Sequence, residues 1–102
     1  KEALMAKIIL TMQYEVLEEK RSEYFSVIQE LKTHHSTNHF VEYSVYEVKG
    51  RSNNFTEMFL AHSEESYKKF EESEDEAADT LAEKLTSCIN GKIKYATYTE
   101  TV

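Results

Sequence analysis

Apolar and polar side chains alternate near the start of the chain. In residues 7–16, KIILTMQYEV, one parity is apolar and the other is mainly polar, with Ile9 as the exception. The apolar parity consists of Ile8, Leu10, Met12, Tyr14 and Val16. A period of two is typical of a β-strand with one buried face, so the pattern predicts a first strand here.

From Leu17 the apolar spacing changes to that of a helix. The apolar positions are Tyr24, Phe25, Val27, Ile28, Leu31 and His35. This period predicts a helix that runs to about His34. The polar segment 36–38, Ser-Thr-Asn, then predicts a loop.

Two β-rich segments follow, 39–48 and 54–62, on either side of KGRSNN. Glycine and asparagine suit a tight turn, so the three segments predict an antiparallel hairpin. Both parities of these strands carry large apolar residues. Val41, Tyr43 and Val45 share one parity of the first segment, and Phe55 and Phe59 oppose Met58 and Leu60 in the second.

A second helical region begins after Ser63, a favourable N-cap, with Tyr67 and Phe70 predicted to face inward. The apolar period lapses in the acidic segment 71–76, where Ser73 and Glu76 could form a second capping box, so a kink or restart is expected near Ser73. The apolar stripe then resumes at Ala77, Leu81, Leu85, Cys88 and Ile89. Asn90-Gly91 predicts the end of the helix, and residues 92–102 predict a last strand.

The order β-α-β-β-α-β predicts an α+β, ferredoxin-like fold with an antiparallel sheet. We expect one domain over residues 7–102 and an N-terminal tail over 1–6, in which Met5 is typical of a natural start and 1–4 of an addition. Two helices cover only one face of such a sheet, whereas both parities are apolar. A homodimer that buries the second face is therefore expected.

Charge and cysteine content restrict the partners and the cellular location that can be expected for this chain. The net charge is −7, so a nucleic-acid backbone or an anionic membrane would repel the chain, and neither is expected as a partner. The chain has one cysteine, Cys88, and no segment typical of a signal peptide, so a cytoplasmic location is expected. Cys88 lies on the apolar stripe, where a buried structural thiol is the usual case.

The segment FTEMFLAHSEESYKKFEESEDEAADTLAEKLTSCINGKIKYATYTE, residues 55–100, resembles the second half of antibiotic-biosynthesis-type monooxygenase domains. The resemblance implies a dimeric α+β barrel and a cofactor-independent oxygenase that binds an aromatic or otherwise apolar substrate between the helices and the sheet. It suggests a pocket lined by Met12, Tyr14, Tyr67, Phe70 and Leu81. The alternative is a non-catalytic small-ligand-binding or structural homodimer.

Tyr14 and His62 are the two candidates for acid–base chemistry, since the mechanism needs a group that deprotonates the substrate. Each also has an ordinary structural interpretation: Tyr14 as a hydrogen-bonded core residue, and His62 as a half-exposed strand end. No cofactor is expected. The haem-degrading members of the family use an Asn, a Trp and a His at positions that fall on Met12, Phe70 and Thr80, so an axial iron ligand is lacking.

Three histidines, His34, His35 and His39, lie close together in the sequence. Neighbouring helical residues point about 100° apart, and the loop 36–38 separates His39 from the helix, so we expect no metal site. The pattern instead indicates the solvated end of a helix, where imidazoles interact favourably with the helix dipole.

Overall fold

The computed structural model describes residues 6–101. Its elements are β1 (Ile8–Val16), a 3-10 turn (Glu18–Lys20), α1 (Arg21–His35), β2 (Glu42–Glu47), β3 (Asn54–Ala61), α2 (Glu64–Glu72), α3 (Glu76–Thr86) and β4 (Ile89–Thr99). The predicted α+β fold is confirmed, with its second helical region divided into two helices. Met5 and most of the predicted tail lie outside the described residues.

The four strands form one antiparallel sheet in the order β2-β3-β1-β4. In the register, Met12 of β1 lies opposite Glu57 of β3 and Tyr95 of β4. Residues directly opposite each other point to the same face of a sheet. The helix-facing side of the sheet therefore carries Met12, Glu57 and Tyr95 together.

The core lies between this face and the helices. Tyr14, Val16 and Phe55 of the sheet pack against Tyr24 and Leu31 of α1, and all five are at most 4% exposed. These residues follow the periods seen in the sequence, two in the strands and about 3.6 in α1. Burial of this apolar surface is the main source of stability for the fold.

The second face of the sheet carries large apolar side chains among polar ones such as Thr11, Gln13 and Lys94. Register places Ile9, Met58 and Leu60 there, with Tyr46 on β2 and Tyr98 on β4. Tyr46 and Tyr98 are 55% and 57% exposed. The sheet thus has large apolar side chains on both faces, as the alternation in the sequence indicated.

The predicted capping residue of the restarted helix is wrong. Asp75, not Ser73, is the N-cap of α3, because its Oδ1 accepts a hydrogen bond from the Ala78 N–H at 3.0 Å. The Ser73 hydroxyl instead donates to the Phe70 carbonyl at 2.8 Å and closes the end of α2. The carboxylate of Asp75, at the N-cap of α3, also interacts favourably with the positive end of the helix dipole.

The predicted end of the second helical region is also wrong. α3 ends at Thr86, so Cys88 and Ile89 are not helical, although Cys88 is fully buried as expected. β4 begins at Ile89, which pairs with Val16. Gly91, with φ +89°, lies inside β4 where the register with β1 shifts, and it does not cap the helix. Such a φ is favourable only for glycine.

None of the helices within residues 6–101 combines the length and the apolar character needed to cross a membrane.

Candidate functional site

A cavity of about 350 Å³ lies between the helices and the helix-facing side of the sheet. Its apolar lining includes Met12, Phe59 and Ile93 from the sheet, and Phe70 and Leu85 from the helices. An apolar pocket of this size with a few convergent polar groups is the usual form of a small-molecule site. The polar groups here are therefore the features that decide its chemistry.

Glu57 is the buried carboxylate of this cavity and is only 3% exposed. It shares the parity of Phe55 and Phe59, which directs its side chain to the helix side of β3. Tyr14 donates to its Oε1 at 3.0 Å, and Tyr43 donates to its Oε2 at 2.6 Å. Each carboxylate oxygen thus has one hydroxyl donor and keeps further acceptor capacity.

Burial governs the acid–base properties of this group. Desolvation raises the pKa of Glu57 above its usual range, and the hydrogen bonds from Tyr43 and Tyr14 offset part of that rise. Desolvation likewise raises the pKa of Tyr14 and of Tyr43, and the nearby Glu57 charge adds to both. The tyrosines therefore stay protonated as donors, and Glu57 is a stronger base than an exposed carboxylate.

Tyr24 extends the network into the core. Its hydroxyl lies 2.8 Å from that of Tyr14, and the two rings meet edge to face at 5.9 Å. Because the single proton of Tyr14 goes to Glu57, Tyr24 must be the donor in this pair. Tyr24, Tyr14 and Glu57 therefore form a directed chain of hydrogen bonds, and Tyr43 reaches the carboxylate from the other side.

His35 is the second buried polar residue of the cavity lining and is 6% exposed. Its ring lies 4.9 Å from Tyr43 and 5.3 Å from Phe59, centroid to centroid. Its Nδ1 is buried without a hydrogen-bond partner, alone in this respect among side chains of the described residues. Desolvation lowers the pKa of His35, with a smaller contribution from His34, so the ring favours its neutral form. A buried polar atom without a partner costs about 1–3 kcal/mol.

The expectation that the three histidines are solvated is wrong for His35, because its helical spacing places it on the core side of α1. His34 is partly buried, and its Nε2 is 2.7 Å from Oδ2 of Asp75, a residue of the cavity lining. This hydrogen bond is the main cause of the lowered pKa of Asp75. His39 is exposed. Within residues 6–101, no His, Cys, Asp or Glu side chains group in threes or more to hold a metal ion.

The five residues predicted to line one pocket do not all lie in the same cavity. Met12 and Phe70 line the cavity. Tyr14 reaches it only through its hydrogen bond to Glu57, and Leu81 lies in the core at 9% exposure. Tyr67 faces inward and packs against the core beside Phe59, but it lies in a separate groove between α2 and the sheet.

His62, the other catalytic candidate, borders the groove that contains Tyr67 and not the cavity. Its imidazole pairs with Glu42 at the surface, and its side chain is 57% exposed. Thr80, the position that the family resemblance assigned to a haem ligand, is exposed on α3.

Sequence reasoning missed Glu57 and the buried position of His35. The signal for Glu57 was present: it is a lone acid on the apolar parity of β3, between Phe55 and Phe59. The signal for His35 was its place on the helical apolar stripe. Neither pattern revealed the partners, because Tyr14, Tyr43 and Glu57 lie on three different strands.

Comparisons with known proteins show the fold. No protein-family profile matches the chain, and no curated protein matches it in sequence. A protein from Caulobacter crescentus described as an antibiotic biosynthesis monooxygenase superposes with a TM-score of 0.80 at 14% identity, over 99% of this chain and 95% of its own. SnoaB, a cofactor-independent oxygenase from Streptomyces nogalater, gives a TM-score of 0.73 at 8% identity, over 92% of each chain.

A conserved protein from Methanosarcina mazei gives a TM-score of 0.79 at 17% identity, over 95% of each chain. At these identities the likeness shows the fold alone. The chain therefore has the ferredoxin-like α+β fold found in antibiotic biosynthesis monooxygenases.

Proposed function

We propose that this protein is a cofactor-independent, monooxygenase-like enzyme that acts on an aromatic or otherwise apolar small molecule. The substrate would bind in the cavity beside Met12 and Phe70. The observation that carries the proposal is the combination of an apolar cavity with two buried titratable groups, Glu57 and His35. The fold shared with SnoaB supports the choice of an oxygenase.

The chemistry needs a base and a site sheltered from water. The base removes a proton from an activated CH2 group next to an aromatic carbonyl or phenol. The resulting carbanion transfers electrons to O2, and a C–O bond forms. Loss of water then leaves a C=O group, so one oxygen atom enters the product and the other leaves as water. An apolar cavity excludes the water that would otherwise protonate the reactive carbanion.

Glu57 and His35 fit the role of base better than Tyr14 or His62. A phenol acts as a base only when ionised, and the raised pKa of Tyr14 opposes its ionisation. Tyr14 is instead a positioning residue that holds Glu57. His62 borders a different groove and pairs with Glu42.

The alternative is a non-catalytic ligand-binding or structural homodimer. The two hydrogen bonds that Glu57 accepts favour this alternative, since a carboxylate held by two tyrosines can serve purely to stabilise the core. A structural carboxylate would leave the reactivity of a bound substrate unchanged. An activity assay therefore separates the two functions.

The test is O2 uptake with anthrone, a tricyclic ketone with an activated CH2 group, together with spectroscopic detection of anthraquinone. We expect the protein to accelerate the reaction above its background, and Glu57→Gln or His35→Gln to reduce the rate at least about tenfold, the usual lower range for loss of a general base. His62→Gln is the matched control and should keep the parent rate. A rate equal to the background, or equal rates in all four proteins, would favour the non-catalytic alternative.

We also propose that the protein is a homodimer in which the second sheet face is buried. The exposed Tyr46 and Tyr98 share this face with Ile9, Met58 and Leu60, and apolar side chains grouped on an open face often mark a protein–protein interface. Each copy carries a net charge of −7, so burial of these apolar side chains has to outweigh the repulsion between the two copies. The lone Cys88 suits a reducing compartment such as the cytoplasm.

Light scattering tests the dimer. We expect about twice the monomer mass of 11.9 kDa at micromolar concentration. Tyr98→Asp should shift the protein towards monomer, because it places a charge in the buried interface. Tyr95→Asp is the matched control: Tyr95 is 66% exposed on the same strand, but it faces the helix side. A parent protein of monomer mass would contradict the proposal.

A further inference from the structure

The cavity lining is acidic at its polar positions. The carboxylates that line it are Glu57, Glu71, Asp75 and Asp79. None of the lining residues in the described part of the chain is Lys or Arg, and His35 is the only basic side chain among them. An anionic ligand would meet several like charges there, one of them in a poorly solvated position where repulsion is strong.

His35 lines the cavity, and its Nδ1 is the one buried side-chain nitrogen or oxygen among the described residues that has no hydrogen-bond partner. Its neighbours are the rings of Tyr43 and Phe59, which offer no conventional hydrogen bond to the imidazole at those ring separations. Glu57 differs from His35, because both of its carboxylate oxygens already accept a hydrogen bond from a tyrosine hydroxyl. The imidazole of His35 is therefore the buried polar group of this lining that gains most when a ligand brings a hydrogen-bonding group.

We infer that His35 and the carboxylates select the ligand of this cavity. The ligand is a neutral or cationic molecule with an apolar body and a hydroxyl, or a similar polar group, that pairs with His35; carboxylates and phosphates are rejected. A hydroxyl suits either neutral tautomer of the imidazole, since it can donate and accept. The inference rests on the proposed placement of the substrate in this cavity, but it does not require turnover.

The test compares the affinities of probes that share one ring system. 1-Naphthol carries the hydroxyl, 1-methylnaphthalene replaces it by a methyl group of similar size, and 1-naphthoate carries a negative charge. The chain has no tryptophan, so naphthalene fluorescence can be followed above the tyrosine background. We expect 1-naphthol to bind about fivefold more tightly than 1-methylnaphthalene, the ratio for one net hydrogen bond. We expect 1-naphthoate to bind at least about tenfold more weakly than 1-naphthol.

Two variants assign the preference to His35. His35→Leu removes both ring nitrogens and should reverse the order, because a methyl group then suits the pocket better than an unpaired hydroxyl. His35→Gln keeps a polar group and should retain part of the preference, which also covers the case in which the leucine variant fails to fold. His39→Leu, at an exposed histidine, is the matched control and should bind all probes as the parent does.

A third variant, Glu71→Gln with Asp79→Asn, tests the charge. Both residues are exposed at the cavity, and their neutralisation should improve 1-naphthoate binding several-fold without changing 1-naphthol binding. Chemical shift changes at Met12 and Phe70 locate the bound probe by NMR. The inference is overturned if the parent binds none of the probes, binds 1-methylnaphthalene or 1-naphthoate as tightly as 1-naphthol, or keeps its preference in His35→Leu.

The outcome also separates this inference from the proposed enzyme. Selective 1-naphthol binding that depends on His35, together with no acceleration of anthrone oxidation, supports the ligand assignment and contradicts the oxygenase. Oxidation of anthrone with no dependence of binding on His35 contradicts the ligand assignment alone.

Discussion

Removing the Tyr43 hydroxyl gives the sharpest test of the buried network. Tyr43→Phe keeps the ring and deletes one atom, the donor that lies 2.6 Å from Oε2 of Glu57. Glu57 is 3% exposed, so water cannot readily replace the lost donor. A hydrogen bond to a charged group contributes about 1.5–3 kcal/mol, and we expect a loss of unfolding free energy in that range at pH values where Glu57 is ionised.

Tyr95→Phe is the matched control for this change. Tyr95 lies on β4 and points to the same face of the sheet, but it is 66% exposed and lies outside the proposed dimer interface. Its hydroxyl can bond to water in both the folded and the unfolded protein, so the expected change is within about 0.5 kcal/mol. Both variants lose the same atom from the same kind of residue, and only burial differs between them.

Urea unfolding followed by circular dichroism measures the difference. Parent and variants are compared at one protein concentration, because association would contribute to apparent stability. The loss in Tyr43→Phe should shrink towards the value for a neutral hydrogen bond, about 0.5–1.5 kcal/mol, as acid protonates Glu57. Equal costs for Tyr43→Phe and Tyr95→Phe at every pH would refute the assignment of a buried carboxylate held by Tyr43.

Three further changes follow from the structure. Glu57 binds a proton more tightly in the folded protein than in the unfolded one. Its contribution to stability therefore falls as pH rises from about 4.3, its unfolded pKa, through its raised folded pKa. Glu57→Gln should remove this fall, and parallel stability–pH curves for parent and variant would contradict the prediction. Asp75→Ala should lower the unfolding free energy by about 1 kcal/mol through loss of the α3 N-cap, whereas Asp75→Asn should retain most of the capping. Equal melting curves for the two variants would contradict the capping role of Asp75. Gly91→Ala should lower the unfolding free energy by about 1–2 kcal/mol, because the φ of Gly91 is +89°. The cost is one of backbone strain, since a Cβ at Gly91 would meet no atom within 4 Å. An unchanged melting temperature would argue against this backbone conformation.

Local patterns were sufficient for most of the fold. The alternation in residues 7–16 predicted β1, and the stripe through Tyr24, Ile28 and Leu31 predicted α1, because each pattern reflects one element facing one core. The errors lay at element ends. Asp75 replaced Ser73 as a cap, and Cys88 and Gly91 left the predicted helix, because capping and strand pairing depend on neighbours that the local sequence does not specify.

The sequence by itself therefore determined the elements, their order and the presence of apolar residues on both faces of the sheet. Only the tertiary structure decided the site. Antiparallel pairing of β1 and β2 with β3 brings Tyr14 and Tyr43 to the two oxygens of Glu57, across separations of 43 and 14 residues. The packing of α1 on the same face buries His35. The reason is physical: periodicity reports which side of an element is buried, whereas hydrogen-bond partners and pKa values depend on which buried sides meet.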